Sequence, residues 1–227
     1  MSTFTVFGID GNIGSGKSRL YGTLQEKFKD NANIIFVPEP VKDWECIHNR
    51  EGKTMVQLFY ADQKRYAFAF QMMAFISRLS MLMRTIEENK DRNIIIITER
   101  TLYTDRYVFA KMLYDQGKIE DVEYQIYLRW FDEFVAKFPV DNVIYVKTDP
   151  EECHKRIHIR ARQGEEIIPL SYLEECHRFH EAFLDKETGI KVNQLIIDGN
   201  VNVFLNPEAD EKRLKQIEDF ISPSELL

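Results

Sequence analysis

The sequence lacks any apolar run that approaches the roughly 20 residues needed to span a bilayer. Its longest aliphatic run, residues 94–97, has the length of one buried strand. The chain also enters its first strand-like segment, residues 4–9, almost at once, which leaves no room for a signal or transit peptide. We therefore expect no membrane partner and a cytoplasmic location.

Cysteine is scarce, and the three residues Cys46, Cys153 and Cys176 form no regular framework. Reduced thiols in a cytosolic-type compartment are therefore expected. Cys153-His154 with His158, and Cys176-His177 with His180, can be interpreted as metal ligands. No Cys-x-x-Cys pair is present, however, and both segments are typical of charged helices. The pattern favours surface or packing positions over a zinc site.

An excess of basic residues is also lacking. The 30 Lys and Arg are outnumbered by 37 Asp and Glu, and the formal net charge is −7, which argues against a general binder of nucleic acid polymers. A small phosphorylated ligand remains compatible with this balance, because residues 156–162 form a local basic cluster. With 227 residues, 44% of them hydrophobic, the chain is expected to fold as one domain, residues 1–227.

Five short, β-branched apolar runs alternate with helix-like stretches. Such runs predict an α/β fold, in which a five-stranded parallel sheet carries helices on both faces. Parallel strands end at one edge of the sheet, where open sheets bind ligands. The predicted strands are residues 4–9, 33–37, 93–98, 142–146 and 194–197. The predicted helices are residues 17–29, 54–89, 121–137, 150–162, 169–184 and 209–221, and residues 199–207 are predicted to form a loop.

What the sequence does contain is a glycine-rich segment directly after the first predicted strand. It follows the pattern G-x-x-x-x-G-K-S, in which glycines let successive N–H groups surround phosphate oxygens. Lys17 would reach the β- and γ-phosphates, the Ser18 hydroxyl would bind Mg²⁺, and the next helix would add its positive N-terminus. The motif predicts a nucleoside triphosphate site formed by Gly11, Asn12, Ile13, Gly14, Ser15, Gly16, Lys17 and Ser18.

Charged side chains follow the next two strands at the same predicted edge. Glu39, between Pro38 and Pro40, is well placed to take a proton from a hydroxyl. Glu99 can help to hold Mg²⁺ through water, and Arg100 can contact a moving phosphoryl group or orient the attacking hydroxyl. Taken alone, Glu39 is better explained as an acid that forms a turn or caps a helix. Taken alone, Glu99 and Arg100 are better explained as a surface ion pair at a strand end. Their convergence on one crevice favours the functional interpretation.

Arg156, Arg160 and Arg162 form a basic group on a predicted helix, where residues 156 and 160 share one face. Three guanidiniums so close repel one another unless an anion joins them. A solvated basic face is the alternative, but beside a phosphate-binding segment we predict an arginine-rich lid, residues 156–168, over ATP phosphates. Gln71 lies in an aromatic stripe that is otherwise typical of a core, and a nucleobase would supply the partners that a buried amide needs.

Together these segments resemble the deoxyribonucleoside kinase family, which contains deoxycytidine, deoxyguanosine and deoxyadenosine kinases. The resemblance covers residues 4–184 and rests on six ordered motifs, whereas the tail after residue 186 matches poorly. The motifs are the G-x-x-x-x-G-K-S segment, Glu39-Pro40-Val41 with Trp44, Phe68-x-Phe70-Gln71 with Ser77-Arg78, the run from Glu99 to Tyr107, the three lid arginines, and Ile168-Pro169-Leu170 with Tyr172-Leu173.

The resemblance implies a P-loop kinase fold and the ATP-dependent phosphorylation of a deoxyribonucleoside 5′-hydroxyl, with Mg²⁺, in nucleotide salvage. It implies that Glu39 is the general base and that Arg100 steadies the 5′-oxygen and the transferring phosphoryl. Ser18 and Glu99 match the Mg²⁺ partners in this family. The implied phosphate clamp is Lys17, Arg156 and Arg160. The implied nucleoside-binding residues are Trp44, Tyr60, Phe70, Gln71, Ala74, Arg78, Asp105, Phe109 and Glu165. Family members are commonly dimers, so a homodimer is expected.

Base choice is expected to depend on Ala74, Arg78 and Asp105, which match positions that line the base pocket in this family. Asp105 can accept from an exocyclic amino group, and Arg78 can donate to a ring nitrogen or carbonyl, which suits cytosine or a purine. Thymine presents a carbonyl instead, and a buried acceptor facing an acceptor costs about 1–3 kcal/mol. We therefore expect a deoxycytidine or purine deoxynucleoside kinase that acts poorly on thymidine.

Three alternatives compete with this interpretation. A nucleoside monophosphate kinase, such as a thymidylate kinase, shares the phosphate-binding segment, sheet and lid, but its acceptor phosphate would meet the negative charge of Glu39. A nucleotide-switched GTPase needs an Asn-Lys-x-Asp motif after a strand, whereas this chain has Lys147-Thr148-Asp149-Pro150. A degenerate non-enzyme fits badly with an intact set of candidate catalytic residues.

Overall fold

The computed structural model describes residues 3–161, 165, 167–185, 191–203 and 205–222. Five parallel strands form one sheet in the order β2-β3-β1-β4-β5. The strands are β1 Phe4–Asp10, β2 Ile34–Val37, β3 Ile94–Glu99, β4 Asn142–Lys147 and β5 Asn193–Asp198. The predicted parallel sheet is confirmed, and each strand begins and ends within a residue of its expected bounds.

Helices cover both faces of this sheet, as predicted. They are α1 Lys17–Lys27, α2 Val41–Glu45, α3 Met55–Ala61, α4 Gln63–Glu88, α5 Leu102–Thr104, α6 Lys111–Asp115, α7 Asp121–Val135, α8 Pro150–Arg160, α9 Leu170–Leu184 and α10 Pro207–Ile221. Because side chains alternate along a strand, β3 contributes to two cores. Ile94 and Ile96 pack on the side that α4, α7 and α9 cover, and Ile95 and Ile97 pack on the side of α1 and α10.

The central strand β1 ends at the edge of the sheet where the predicted site lies. Its end, Asp10, continues directly into residues 11–18, and the register pairs Ile9 with Glu99 of β3. On the other side of β3, Val37 at the end of β2 pairs with Thr98, so Glu39 follows at the same edge. The C-terminal ends of three neighbouring strands therefore supply the three predicted charged segments.

The predicted helix over residues 54–89 is wrong in one respect, since the structure divides it at Asp62. Thr54 begins α3 with a capping box, in which its hydroxyl accepts from the Gln57 N–H and the Gln57 side chain accepts from the Thr54 N–H. Asp62 leaves the helical region, with φ −148° and ψ 82°, and its carboxylate accepts from the Arg65 N–H to begin α4. The break turns α3 toward the sheet edge.

The short helices α2, α5 and α6 were not predicted, and neither were two further helical features. Asp105–Ala110, between α5 and α6, is π-helical, a distortion that occurs often at functional sites. Helix α8 ends at Arg160 because Ala161 adopts a left-handed conformation with φ 49°, two residues before the expected end at Arg162. The side chain and backbone of Arg162 lie outside the described residues.

By length and composition, α4 would pass as a membrane-spanning helix, with a mean hydropathy of 1.3 over its most apolar window. The expectation that no apolar segment approaches the length needed to span a bilayer is therefore too strict, since α4 has 26 residues. The helix nevertheless packs into the core through Ala67, Phe75 and Leu79, and it buries the polar residues Gln71 and Arg78. A core helix passes the same test, so α4 is weak support for a membrane span.

The cysteines and histidines that were considered as metal ligands are dispersed. Cys46 is exposed, whereas Cys153 and Cys176 are buried, and all three are unpaired thiols. His154 and His158 contact one another, with their Nε2 atoms 3.2 Å apart. Over the part of the chain that the structure describes, no group of three His, Cys, Asp or Glu side chains is arranged to hold a metal ion.

Candidate active site

A cavity of about 460 Å³ opens at the C-terminal edge of the sheet, within the size range typical of small-molecule sites. Its wall runs from residues 11–18, hereafter the phosphate loop, to α3 and α4. It brings together these sequence-predicted residues: Ile13, Gly14, Lys17, Ser18, Glu39, Trp44, Tyr60, Phe70, Gln71, Ala74, Arg78, Glu99, Arg100, Asp105, Phe109, Arg160 and Glu165.

The phosphate loop adopts a conformation that only glycine tolerates at its turning points. Gly14 and Gly16 have φ of 79° and 101°, and a Cβ on Gly14 would lie 2.5 Å from the Cys153 carbonyl oxygen. The buried Ser15 hydroxyl has no hydrogen-bond partner among the described residues. The Asn12 side chain points away from the cavity, because its amide donates to the Leu173 carbonyl at 2.8 Å. Asn12 therefore ties the loop to α9.

Lys17 is buried at the base of this loop, where its ammonium donates to the Asn12 carbonyl oxygen at 2.6 Å. Burial, and after it the neighbouring charge of Arg100, lower the pKa of Lys17, whereas Glu99 and Glu39 raise it, and the net result is a pKa of about 7. The loop thus presents a poorly compensated cation to the cavity, which fits a polyanionic ligand such as a triphosphate.

Beside the loop, the Ser18 hydroxyl donates to the Glu99 carboxylate at 2.5 Å. This contact joins the first turn of α1 to the last residue of β3. A hydroxyl and a carboxylate are hard oxygen donors of the kind that Mg²⁺ prefers. The two predicted metal partners are thus adjacent, on the cavity side of the sheet edge.

Arg100 connects the phosphate loop with Glu39. Its Nη1 donates to the Gly11 carbonyl oxygen at 3.0 Å, and its Nε lies 3.2 Å from Glu39 Oε1. The guanidinium also lies over the Phe109 ring, 4.8 Å from the centroid. One buried side chain therefore spans the distance between the predicted general base and the predicted triphosphate site.

Arg78 gives Glu39 a second cationic neighbour. Its Nη2 lies 3.4 Å from Glu39 Oε1, its Nη1 donates to the Glu99 carbonyl at 2.7 Å, and its Nε donates to Asp105 Oδ2 at 2.9 Å. Burial alone would raise the pKa of Glu39, but Arg100 and Arg78 outweigh it, so this pKa lies below its ordinary value. Burial raises the pKa of Asp105 despite Arg78.

Aromatic side chains form the wall opposite these charges. Phe70 stacks on Phe59, with ring centroids 4.5 Å apart, and meets Trp44 edge-on at 5.7 Å. The Trp44 indole N–H donates to the Ser77 hydroxyl at 2.9 Å. Gln71 is 2% exposed and lines the cavity together with Phe59, Phe70 and Trp44. The buried amide that the sequence singled out therefore borders the cavity beside aromatic side chains.

The predicted lid arginines do not act alike. Arg160 lines the cavity and forms an ion pair with Glu165. Arg156 lies outside the cavity, where it donates to the Ser15 and Gly199 carbonyl oxygens at 3.3 and 2.9 Å and pairs with Glu152. It therefore braces the outer side of the phosphate loop. Arg162 is outside the described residues, as noted above.

Comparison with known proteins identifies the family. A family model described as deoxynucleoside kinase matches residues 7–222. The chain is 34% identical to a probable deoxycytidine kinase of fowlpox virus, over 98% of this chain and 90% of the relative. It is 33% identical to the mitochondrial deoxyguanosine kinase of Xenopus laevis (79% of this chain, 73% of the relative) and 33% identical to deoxycytidine kinase of Homo sapiens (82% and 76%).

The chain belongs to the deoxynucleoside kinase family. The expected resemblance is confirmed, and with it the expectation of an enzyme that phosphorylates nucleosides. Membership in this family implies ATP as the phosphate donor. The nucleoside monophosphate kinase alternative is not favoured by any of these similarities.

Several cavity residues of this kinase were not predicted from sequence. The additional lining residues are Val41, Glu45, Thr54, Val56, Gln57, Phe59 and Tyr172. Phe59 lies under Phe70, and Tyr172 meets Tyr60 edge-on at 6.2 Å. Most belong to α2 or to α3 and its first residue Thr54. The start of α3 agrees with the helix predicted from residue 54, and the Thr54-x-x-Gln57 capping box explains it; what sequence reasoning missed is the break at Asp62.

The low pKa of Lys17 predicts that ATP binding takes up a proton. At about pH 8 most free enzyme carries neutral Lys17, whereas a bound triphosphate favours the charged form. Affinity should therefore fall as pH rises through about 7. Calorimetry of ATP binding in two buffers of different ionisation enthalpy would measure the uptake. Lys17→Arg is the control, since an arginine stays charged, and equal uptake by both proteins would contradict the prediction.

Proposed function

We propose that this kinase transfers the γ-phosphoryl of ATP to the 5′-hydroxyl of a deoxyribonucleoside whose base carries an exocyclic amino group. The observation that carries the proposal is the position of Glu39. Its carboxylate lies between two buried arginines and shares one cavity with Lys17 of the phosphate loop. An uncharged sugar hydroxyl suits that position, because a second phosphate would be repelled by an ionised carboxylate.

In the proposed reaction the 5′-hydroxyl gives its proton to Glu39 while its oxygen attacks the γ-phosphorus. The bond between that phosphorus and the β-phosphate oxygen breaks, and ADP leaves. Because Arg100 contacts both Glu39 and the phosphate loop, it is suited to hold the attacking oxygen beside the phosphoryl group. Most of the acceleration then comes from positioning and from charge neutralisation.

Other residues would hold the donor. Lys17 and Arg160 supply positive charge at the cavity wall, and Arg156 supports the outer side of the loop. Ser18 and Glu99 would hold Mg²⁺, whose charge would neutralise phosphate oxygens. Tyr60 and Glu165, both on the cavity wall, would bind the sugar 3′-hydroxyl.

Replacing the proposed base tests this mechanism. Glu39→Gln retains the shape of the side chain but cannot accept the proton, so kcat should fall by about a hundredfold or more with a much smaller change in the nucleoside KM. Glu45→Gln, which makes the same change at another position on the cavity wall, is the matched control. A steady-state assay with ATP and deoxycytidine measures both constants, and an unchanged kcat for Glu39→Gln would remove Glu39 from the chemistry.

The preferred base is proposed to be cytosine, adenine or guanine. Asp105 and Arg78 form a buried pair on the cavity wall, which leaves carboxylate lone pairs for an amino group. Relatives of this chain are described as deoxycytidine and deoxyguanosine kinases, which supports the same choice. Thymine would set a carbonyl against this carboxylate, at a cost of about 1–3 kcal/mol.

A substrate panel tests this preference. With ATP and Mg²⁺, thymidine should have a kcat/KM about 5- to 150-fold below that of the best deoxynucleoside. The double variant Arg78→Met with Asp105→Ala should raise the ratio of thymidine to deoxycytidine activity, although total activity falls because Glu39 loses a partner. The single variant Arg78→Met, which leaves Asp105 unpaired, should not raise that ratio. Thymidine as the best substrate of the unmodified enzyme would overturn the proposal.

We also propose that the enzyme is a homodimer. The outward faces of α4 and α7, two helices in contact with one another, expose large apolar side chains. These are Ile76 and Met83 on α4, and Val122, Ile126 and Trp130 on α7, each between 42% and 67% exposed. Together they form an apolar surface that a second copy of the chain would cover.

Oligomeric mass tests the dimer. Ile76→Glu combined with Trp130→Glu places charges in the apolar surface and should convert the dimer to a monomer in sedimentation equilibrium. Ile159→Glu, which changes an 84% exposed isoleucine on α8, should leave the mass unchanged. A monomeric unmodified enzyme at micromolar concentration would show that this surface does not pair.

A further inference from the structure

A carboxylate that the proposed mechanism does not use lies directly behind the site. Asp10, the last residue of β1, is fully buried. It accepts hydrogen bonds from two hydroxyls, Thr101 Oγ1 to Asp10 Oδ2 at 3.2 Å and Thr104 Oγ1 to Asp10 Oδ1. The Thr101 hydroxyl also accepts from the Thr104 N–H at 3.1 Å, which begins α5. Asp10 therefore attaches the first turn of α5 to the end of the central strand.

The residue just before this turn has an unusual backbone. Arg100 has φ 65°, a left-handed conformation that a side-chain-bearing residue keeps only when its surroundings hold it there. Its N–H donates to the Ile9 carbonyl at 3.0 Å, so both sides of the turn are attached to the last two residues of β1. The reversal at Arg100 sends its side chain to Glu39, whereas the preceding Glu99 contacts Ser18.

The opposite side of the turn is held by close packing. A Cβ built on Gly8 would lie 2.0 Å from Thr101 Cγ2, so the threonine methyl occupies the space that any other residue at position 8 would need. Three consecutive residues of β1 therefore hold the turn in place. Gly8 makes a steric contact, Ile9 accepts a backbone hydrogen bond, and the Asp10 carboxylate accepts from two hydroxyls.

Stability alone does not explain this arrangement, because burying the Asp10 carboxylate costs free energy of folding. Burying a carboxylate is unfavourable unless donors surround it, and burial raises the pKa of Asp10, although Thr104, Arg100, Arg78 and Thr101 oppose the shift. A buried polar group that is fully satisfied specifies one geometry, which an apolar side chain of similar size would not do. The geometry specified here is the direction of Arg100.

We propose that Asp10 is a positioning residue of the kinase reaction, which acts through Thr101 and Thr104 to aim the Arg100 guanidinium at Glu39 and the attacking oxygen. The inference rests on the proposed role of Arg100. It assigns no contact between Asp10 and either substrate. Its consequence is that loss of the Asp10 charge affects the rate through Arg100, and through nothing else in the site.

The test is a double-mutant cycle between Asp10→Asn and Arg100→Lys. Asp10→Asn should lower kcat by about tenfold or more, while the Kd of deoxycytidine, measured by quenching of Trp44 fluorescence, changes by less than about threefold. In the Arg100→Lys background the same change should have almost no further effect on kcat. Asp141→Asn, which alters a carboxylate beside Val6 at the other end of the sheet, is the control and should behave as the unmodified enzyme.

The outcomes separate this inference from the proposed function. A normal kcat for Arg100→Lys would remove Arg100 from the mechanism, and the inference with it. If Arg100→Lys is impaired but Asp10→Asn is normal, or if Asp10→Asn lowers kcat by the same factor in both backgrounds, only the inference is overturned. Circular dichroism and thermal melts establish that each variant is folded.

Two further pairs keep the inference falsifiable if Asp10→Asn does not fold. Thr104→Val removes one hydroxyl and should lower kcat, whereas Thr104→Ser, which retains the hydroxyl, should recover most of the lost activity. Gly8→Ala should lower kcat by displacing the Thr101 methyl, and adding Thr101→Ser should restore it, because serine keeps the hydroxyl without the methyl. Failure of both rescues in folded proteins would overturn the inference.

Discussion

The ion pairs that Glu39 makes with Arg78 and Arg100 are the interaction on which the site depends. A carboxylate buried alone becomes protonated, and a guanidinium buried alone is strongly destabilising. Here the carboxylate and the guanidiniums compensate one another's charge, because both arginines contact Glu39 Oε1. Each arginine also donates to a backbone carbonyl, Arg78 to that of Glu99 and Arg100 to that of Gly11. The ionised form of Glu39 is thereby stabilised inside a cavity, where its charge is available to a ligand.

The sheet determines which residues can take part in this network. Parallel strands end at one edge, and the order β2-β3-β1 places the segments after three strands next to one another. The chain leaves β1 in one direction, into the phosphate loop, and leaves β3 with a left-handed turn at Arg100. That divergence creates the space between them, as expected for the switch point of an open α/β sheet.

Sequence patterns predicted the parts of this structure that follow from local rules. Strands β1 to β5 are short buried runs with clear boundaries, and the phosphate loop has every glycine that its backbone needs. The family resemblance then supplied residues such as Tyr60 and Glu165, which the structure places on the cavity wall. The strand predictions are confirmed because each depends on residues that are close together in the chain, whereas the roles of Tyr60 and Glu165 stay predictions.

Other features depend on tertiary contacts and were not predictable in this way. The apolar periodicity of α3 continues into α4, so the break at Asp62 is hidden, and with it the placement of Phe59 under Phe70. The π-helical turn at Asp105–Ala110 has no sequence pattern of its own. Arg156 and Arg160 share a helix face by spacing, yet Arg156 donates to the backbone of the phosphate loop, whereas Arg160, the last residue of α8, pairs with Glu165.

The pairing of Arg160 with Glu165 gives the two proposed binding sites a shared boundary. Arg160 is assigned to the triphosphate and Glu165 to the sugar, and the pair lies on the wall of the cavity. The Glu165 side chain is 9% exposed and that of Arg160 is 36% exposed, so the carboxylate is the more buried partner. A triphosphate that attracts Arg160 would therefore compete with Glu165 for the guanidinium. Under the proposed roles, the donor site and the sugar site share one charged side chain, because Arg160 can face either the phosphates or the carboxylate.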